Sequence, residues 1–286
     1  MSAATLTPRR DPSPSIRADA RLTFPRILRS EWIKLTSLRS TLWSLGLIVL
    51  LGVGLSLLMS SVGVGVGPDG PAQPDVGTVL TTATIGVAFG QLIAAVLGVL
   101  VMSGEYSTGM IRSTLAAVPT RLPVLAAKAL VLFALVTVVG AVTMFGAWAA
   151  SYPVLDSQGF AVGLTEPGLA LALAGAAVYL GLTAVFALGL GTLLRSSAGG
   201  IAAALGVILV VPTVLSLLSL ALDWVADLAP YLYSSAGNAM ARIPAESGAD
   251  PLGQTLLDPR EGALVVLAWT AVSLLLGAIT LRRRDA

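Results

Sequence analysis

Six stretches of this 286-residue sequence are apolar over the length of a membrane crossing, and that feature fixes the solvent in which the chain folds. An α-helix rises 1.5 Å per residue and needs about 20 apolar residues to cross a hydrocarbon core roughly 30 Å thick. The stretches are 41–61, 78–102, 123–150, 168–194, 200–222 and 262–281. The fourth and fifth share one block, Gly168 to Leu222, whose only charge is Arg195. As one helix that block would measure about 82 Å, so it is two crossings and a turn. The turn falls at Arg195 to Gly200, a charge followed by Ser, Ala and Gly. No stretch carries Asp, Glu, Lys or Arg in its central part, and Lys128 is assigned to the loop before the third. A transmembrane barrel would need segments of about ten residues alternating in polarity, and these runs are continuous and twice as long. The fold expected is therefore an all-α integral membrane protein with six transmembrane helices.

Composition excludes the soluble alternatives. Hydrophobic residues make up 56% of the chain and charged residues 11%, against about 25% charged in a soluble domain. Soluble enzymes and nucleic-acid binders are thereby excluded for the whole chain. Cysteine and histidine are both absent, which removes disulfides, thiolate chemistry and the commonest metal ligand.

The basic residues orient the spans. Eight lie before the first span, Arg112, Arg121 and Lys128 lie between the second and third, Arg195 follows the fourth, and Arg282 to Arg284 end the chain. That places 15 of the 17 on one side, leaving Arg242 and Arg260 on the other. Positive charge marks the cytoplasmic side, so both termini are expected inside. Residues 1–22 are polar, with Pro8, Pro12 and Pro14, and are expected to be a disordered cytoplasmic tail rather than a signal peptide. Residues 23–286 are then expected to form a single six-helix transmembrane domain.

Two cytoplasmic segments carry more than topology. Over 24–39, Phe24, Ile27, Leu28, Trp32, Leu35 and Leu38 fall on one arc of a helix, which predicts an amphipathic interfacial helix. Glu31 interrupts that arc. It either pairs locally with Lys34 or touches a protein partner. The loop 103–122 predicts a short helix capped by Ser107 or Thr108 and ended by Pro119. After it, a helix from Arg121 to Ser151 would be about 46 Å long, so its first turns would protrude from the membrane. The loop is then either a rigid knob that transmits motion or a mere connector. On the outer side, the long loop 223–261 can dip short helices, within Leu228 to Ile243, into the membrane. The small-residue spacings Gly86-xxx-Gly90 and Ala187-xxx-Gly191 allow close helix packing, and Pro212 predicts a kink in the fifth span.

Energy-coupling chemistry is missing from the sequence. There is no GxxxxGK[ST] phosphate loop, no HExxH and no metal-ligand cluster. Ion-coupled carriers usually hold an ionisable group within their spans, and none is expected here. If the chain moves a solute uphill, the work must enter from another polypeptide. A non-transporting anchor or scaffold is the alternative reading, and a secondary carrier or channel is a weaker one.

The residues of these segments resemble the membrane subunit of bacterial ABC-type exporters of the second (type-2) class. RILRSEWIKLTSLRSTLWSL is similar to that family's connecting helix, with its core at Ser30 to Leu35. GEYSTGMIRSTLAAVPTRLPVLAAK resembles its first cytoplasmic loop, through Gly104, Glu105, Tyr106, Gly109, Arg112, Leu115, Pro119, Arg121 and Lys128. PYLYSSAGNAM resembles a weaker outer-loop pattern, with Tyr233 where the family often has Pro. The resemblance implies a permease in the bacterial plasma membrane without an ATPase site or cofactor of its own. It would pair with a second permease subunit, identical or homologous, and dock two ATP-binding cassette subunits that carry ATP and Mg²⁺. It implies that Glu105, Tyr106, Gly109, Arg112 and Arg121 lie at the coupling contact, and that Glu31, Trp32 and Lys34 belong to the connecting helix.

Overall fold

A computed structural model describes residues 23–62, 75–110, 121–243 and 257–283. The expected tail 1–22, residues 111–120 of the loop expected on the cytoplasmic side, with Arg112, and 244–256 of the long loop expected on the outer side lie outside the described residues. The described residues form helices and connecting turns, with no strand among them. Six helical segments are long and apolar enough to cross a membrane: 39–61, 76–107, 122–157, 169–194, 197–218 and 259–283. The chain is a multi-pass membrane protein by that measure.

Helix α1 (Phe24–Ser37) precedes the spans and α2 (Arg39–Ser61) is the first of them. The second span is broken into α3 (Val76–Thr84) and α4 (Val87–Ser107), joined through Ile85 and Gly86. Asp75 caps α3, accepting hydrogen bonds from the N–H groups of Gly77 and Thr78. The third span, α5 (Leu122–Ser157), has 36 residues and a length of about 54 Å. It passes the expected end at Ser151 and continues through Pro153, and Ser151 donates to the Ala147 carbonyl one turn before it. Ser107 and Thr108 do not begin a new helix as expected. They finish α4, where both hydroxyls donate to the Gly104 carbonyl.

The fourth span, α6 (Leu169–Leu194), is apolar on every side, and a helix without a polar face belongs at the centre. It packs against α4, α5 and the last span, α11 (Pro259–Arg283). The fifth span runs through α7 (Ser197–Leu205), a π-helical turn (Gly206–Val210) and α8 (Val211–Leu218). The π turn directly precedes Pro212. It absorbs the proline, whose ring and missing N–H cannot continue regular α-helical bonding.

The segment that follows the fifth span returns into the bundle. α9 (Asp223–Ala226), a 3₁₀ turn (Ala229–Tyr231) and α10 (Tyr233–Ala239) follow the fifth span. Tyr233 is fully buried, stacked on Phe186 with centroids 4.4 Å apart. Its hydroxyl donates to Thr183 Oγ1 at 3.2 Å, and Thr183 donates onward to the Tyr179 carbonyl at 2.8 Å. Tyr179 in turn donates to Gln91 Oε1 of α4 at 2.5 Å. Thr183 and Phe186 lie near the middle of α6, so α10 reaches well into the bundle. Irregular backbone survives at that depth only when protein encloses it, and α6 and α11 do so here. Tyr233→Phe removes one buried hydrogen bond and keeps the ring stack. Its expected cost is about 1 kcal/mol, read as a shifted unfolding midpoint in micelles.

Candidate functional site

The site is built at the end of the bundle where α4 finishes and α5 begins. Ile27, Glu31 and Leu35 recur every four residues on the face of α1 that packs on α5. Phe24, Trp32 and Leu38, expected on the same arc, are turned outward instead. Glu31 therefore lies at the centre of the buried stripe, and Lys128 of α5 answers it. Lys128 is the seventh residue of α5, among buried Val124, Ala127 and Val131. Glu105 is the third residue from the end of α4.

These groups close a ring of alternating charge. Lys128 Nζ lies 2.5 Å from Glu31 Oε2 and 2.8 Å from Glu105 Oε1. Lys34 Nζ lies 2.7 Å from Glu31 Oε1 and 3.2 Å from Glu105 Oε1. The side chains of Glu31, Glu105 and Lys128 are 1%, 4% and 2% exposed, whereas Lys34 is 29% exposed. Taking an ion out of water costs several kcal/mol, so a buried charge persists only when paired and hydrogen-bonded. Here each charge meets two of opposite sign, and the four sum to zero. Glu31 thus has the local partner Lys34 and a second, long-range partner within the chain.

The ring shifts its own titrations. Burial alone would raise the Glu31 carboxyl, but the Lys128 and Lys34 ammoniums outweigh it and hold it below the ordinary 4.5. Burial alone would lower Lys34, but Glu31 and Glu105 raise it above the ordinary 10.5. The Glu31 contribution is complete above pH 4.5 and is lost as pH falls through the lower folded value. The Lys34 contribution is complete below pH 10.5 and is lost as pH rises through the higher folded value. Melting temperatures of the unaltered chain and of Glu31→Gln are therefore expected to converge as pH drops below 4.5. A gap that stays constant there would exclude the ionised Glu31.

Beside the ring, two arginines tie the loops to the last span. Arg121 precedes α5 at φ 54° and donates to the Leu281 carbonyl at 3.0 Å. Arg195 ends α6 at φ 53° and donates to the Thr280 carbonyl at 3.3 Å. Both carbonyls belong to the last described turn of α11. Arg195 also lies over the half-buried Tyr106 ring, 5.2 Å from its centroid. Gly109 follows α4 at φ 72°, a left-handed conformation that glycine adopts without strain, and it is exposed.

The structure thus gathers Glu31, Lys34 and Glu105 into one cluster and sets Tyr106 and Arg121 beside it. Trp32, 46% exposed, faces away. Lys128 and Arg195 are the functional candidates that sequence reasoning left aside. The assignment of Lys128 to a loop is corrected: it lies within the α5 span and is buried. Its trace in the sequence was a lysine followed at once by an unbroken apolar run, matched by a glutamate inside another apolar arc. The charged residues of the spans all lie within seven residues of a helix end, so no Asp, Glu, Lys or Arg sits at mid-span among the described residues. No metal-holding cluster of carboxylates occurs among them either. No protein-family model matches the chain, and no curated protein matches it.

Proposed function

We propose that this chain is the membrane-spanning permease subunit of an ATP-driven exporter of the type-2 ABC class, powered by separate ATP-binding subunits. The observation that carries the reading is the buried charge ring. It ties α1 to the ends of α4 and α5, so a push on α1 or on the intervening loop moves two spans as one piece. That end of the bundle holds most of the basic residues among those described, which supports a cytoplasmic location for it and for both termini in a bacterial plasma membrane. In this reading α1 is the connecting helix and lies in the membrane interface, with exposed Trp32 open to a partner. The loop from Glu105 to Arg121, with Tyr106, Gly109 and Arg112, is the coupling contact. ATP and Mg²⁺ are held by the partner subunits, and this chain binds neither.

A second permease subunit completes the pathway. The fifth span is the least covered of the six, with Val210, Val214, Leu217 and Leu218 exposed, and it offers the most surface for such pairing. Between helices in lipid the gain is packing rather than loss of water contact.

The test is reconstitution. The purified chain alone is expected to hydrolyse no ATP. Co-expressed with a phosphate-loop ATPase from a neighbouring reading frame, it is expected to co-purify as a complex. Arg112→Ala is expected to lower the complex's transport-coupled ATPase rate while the chain still inserts and folds. ATP hydrolysis by the chain alone, or an unaltered rate in the Arg112→Ala complex, would refute the proposal.

A further inference from the structure

We propose that the cavity between α1, the start of α2 and the end of α4 binds a zwitterionic aminophospholipid, the ammonium-phosphate headgroup of phosphatidylethanolamine. The proposal requires that the chain lies in a bilayer and does not depend on export. The cavity has a volume of about 290 Å³, at the small end of ligand pockets. Lys34, Glu105 and Lys128 form its polar floor, and Leu38, Leu100 and Val101 its apolar wall.

Hydrogen-bond capacity at the floor is unspent on both signs. Each lysine ammonium has three N–H donors and makes two carboxylate bonds. Glu105 Oε1 accepts from both lysines, whereas its Oε2, buried, has no donor. A buried acceptor without a partner is costly, and an ammonium supplies the donor it lacks once the Glu105 carboxyl turns toward the cavity. A phosphate takes the remaining lysine donors.

Charge balance selects the occupant. The ring is already neutral, so a lone anion meets two carboxylates and a lone cation meets two ammoniums. A zwitterion adds no net charge and satisfies both sides. Its nitrogen must carry N–H, which ethanolamine has and choline lacks. Leu38 and Leu100 are 50% and 39% exposed beside the floor. An acyl chain covers them, and a soluble amine-phosphate leaves them bare, so the occupant is a lipid.

The experiment uses the full chain purified in detergent. Native mass spectrometry follows titration with phosphatidylethanolamine, phosphatidylcholine and phosphatidylglycerol of identical acyl chains, and with soluble phosphoethanolamine. Phosphatidylethanolamine is expected to bind at least about tenfold more tightly than the other two lipids, the effect of one charge-assisted hydrogen bond. Leu100→Trp fills the apolar wall without touching the ring. It is expected to reduce phosphatidylethanolamine retention by a similar factor, with elution volume and melting temperature preserved. Equal retention of phosphatidylcholine, stronger retention of phosphatidylglycerol, or displacement of the lipid by equimolar phosphoethanolamine would each overturn the proposal. If Leu100→Trp does not fold, the three-lipid comparison on the unaltered chain decides alone.

Discussion

Lys128→Met is expected to lower the unfolding free energy by about 3–5 kcal/mol, because it strands Glu31 and Glu105 at 1% and 4% exposure with a single shared ammonium. The large term is the carboxylate left buried, more than the loss of two ion pairs. That distinction is measurable. The double variant Glu31→Leu/Lys128→Leu removes one charge of each sign and leaves the Lys34–Glu105 pair at 3.2 Å. It is expected to be more stable than Lys128→Met alone, although it replaces more groups. Unfolding midpoints in detergent measure both. Costs that simply add would mean the ring is not a single electrostatic unit.

Gly98→Val is expected to be at least as damaging, by separating α4 from α6. A side chain at Gly98 would overlap the backbone carbonyl of Ala184 on α6, an atom with no rotamer to change. Overpacking commonly costs about 1–3 kcal/mol and more where backbone must move. In lipid the penalty spreads, since helix association there rests on packing rather than on the hydrophobic effect. The expected outcome is a loss of at least about 3 kcal/mol together with earlier, broader elution in size-exclusion chromatography. Gly54→Ala is the control, because nothing lies within 4 Å of a side chain built there. Destabilisation equal to that of Gly98→Val would show that the loss of a helical glycine, rather than the α4–α6 contact, is responsible.

The two variants probe different kinds of information in the chain. Gly98 sits in a run whose length and polarity announce a span, but nothing in the run distinguishes it from Gly54. Only the position of Ala184 does. The same holds for the re-entrant segment. Its aromatic residues and short elements were legible as a loop able to dip into the membrane. That Tyr233 stacks on Phe186 and bonds Thr183, 50 residues away, depends on how α6 and α11 frame it.

At the candidate site, the interruption of the α1 arc by Glu31 was visible, and its local pairing with Lys34 was one of the two readings open. The controlling partner was hidden, because Lys128 lies 97 residues away and its burial follows from the packing of α5 on α1. Arg121 presents the reverse case. It was expected at a coupling contact, and the structure shows its guanidinium bonded to the last described turn of α11.

The sequence by itself determined the six spans, their all-helical nature and the concentration of basic charge at one end. These follow residue by residue, since lipid requires each span to be apolar and to satisfy its backbone internally. Tertiary structure alone decided which helix is central, where glycines must stay bare, and that two glutamates and two lysines close a neutral ring. Those outcomes depend on distances between segments far apart in the chain, and no local run of residues encodes a distance.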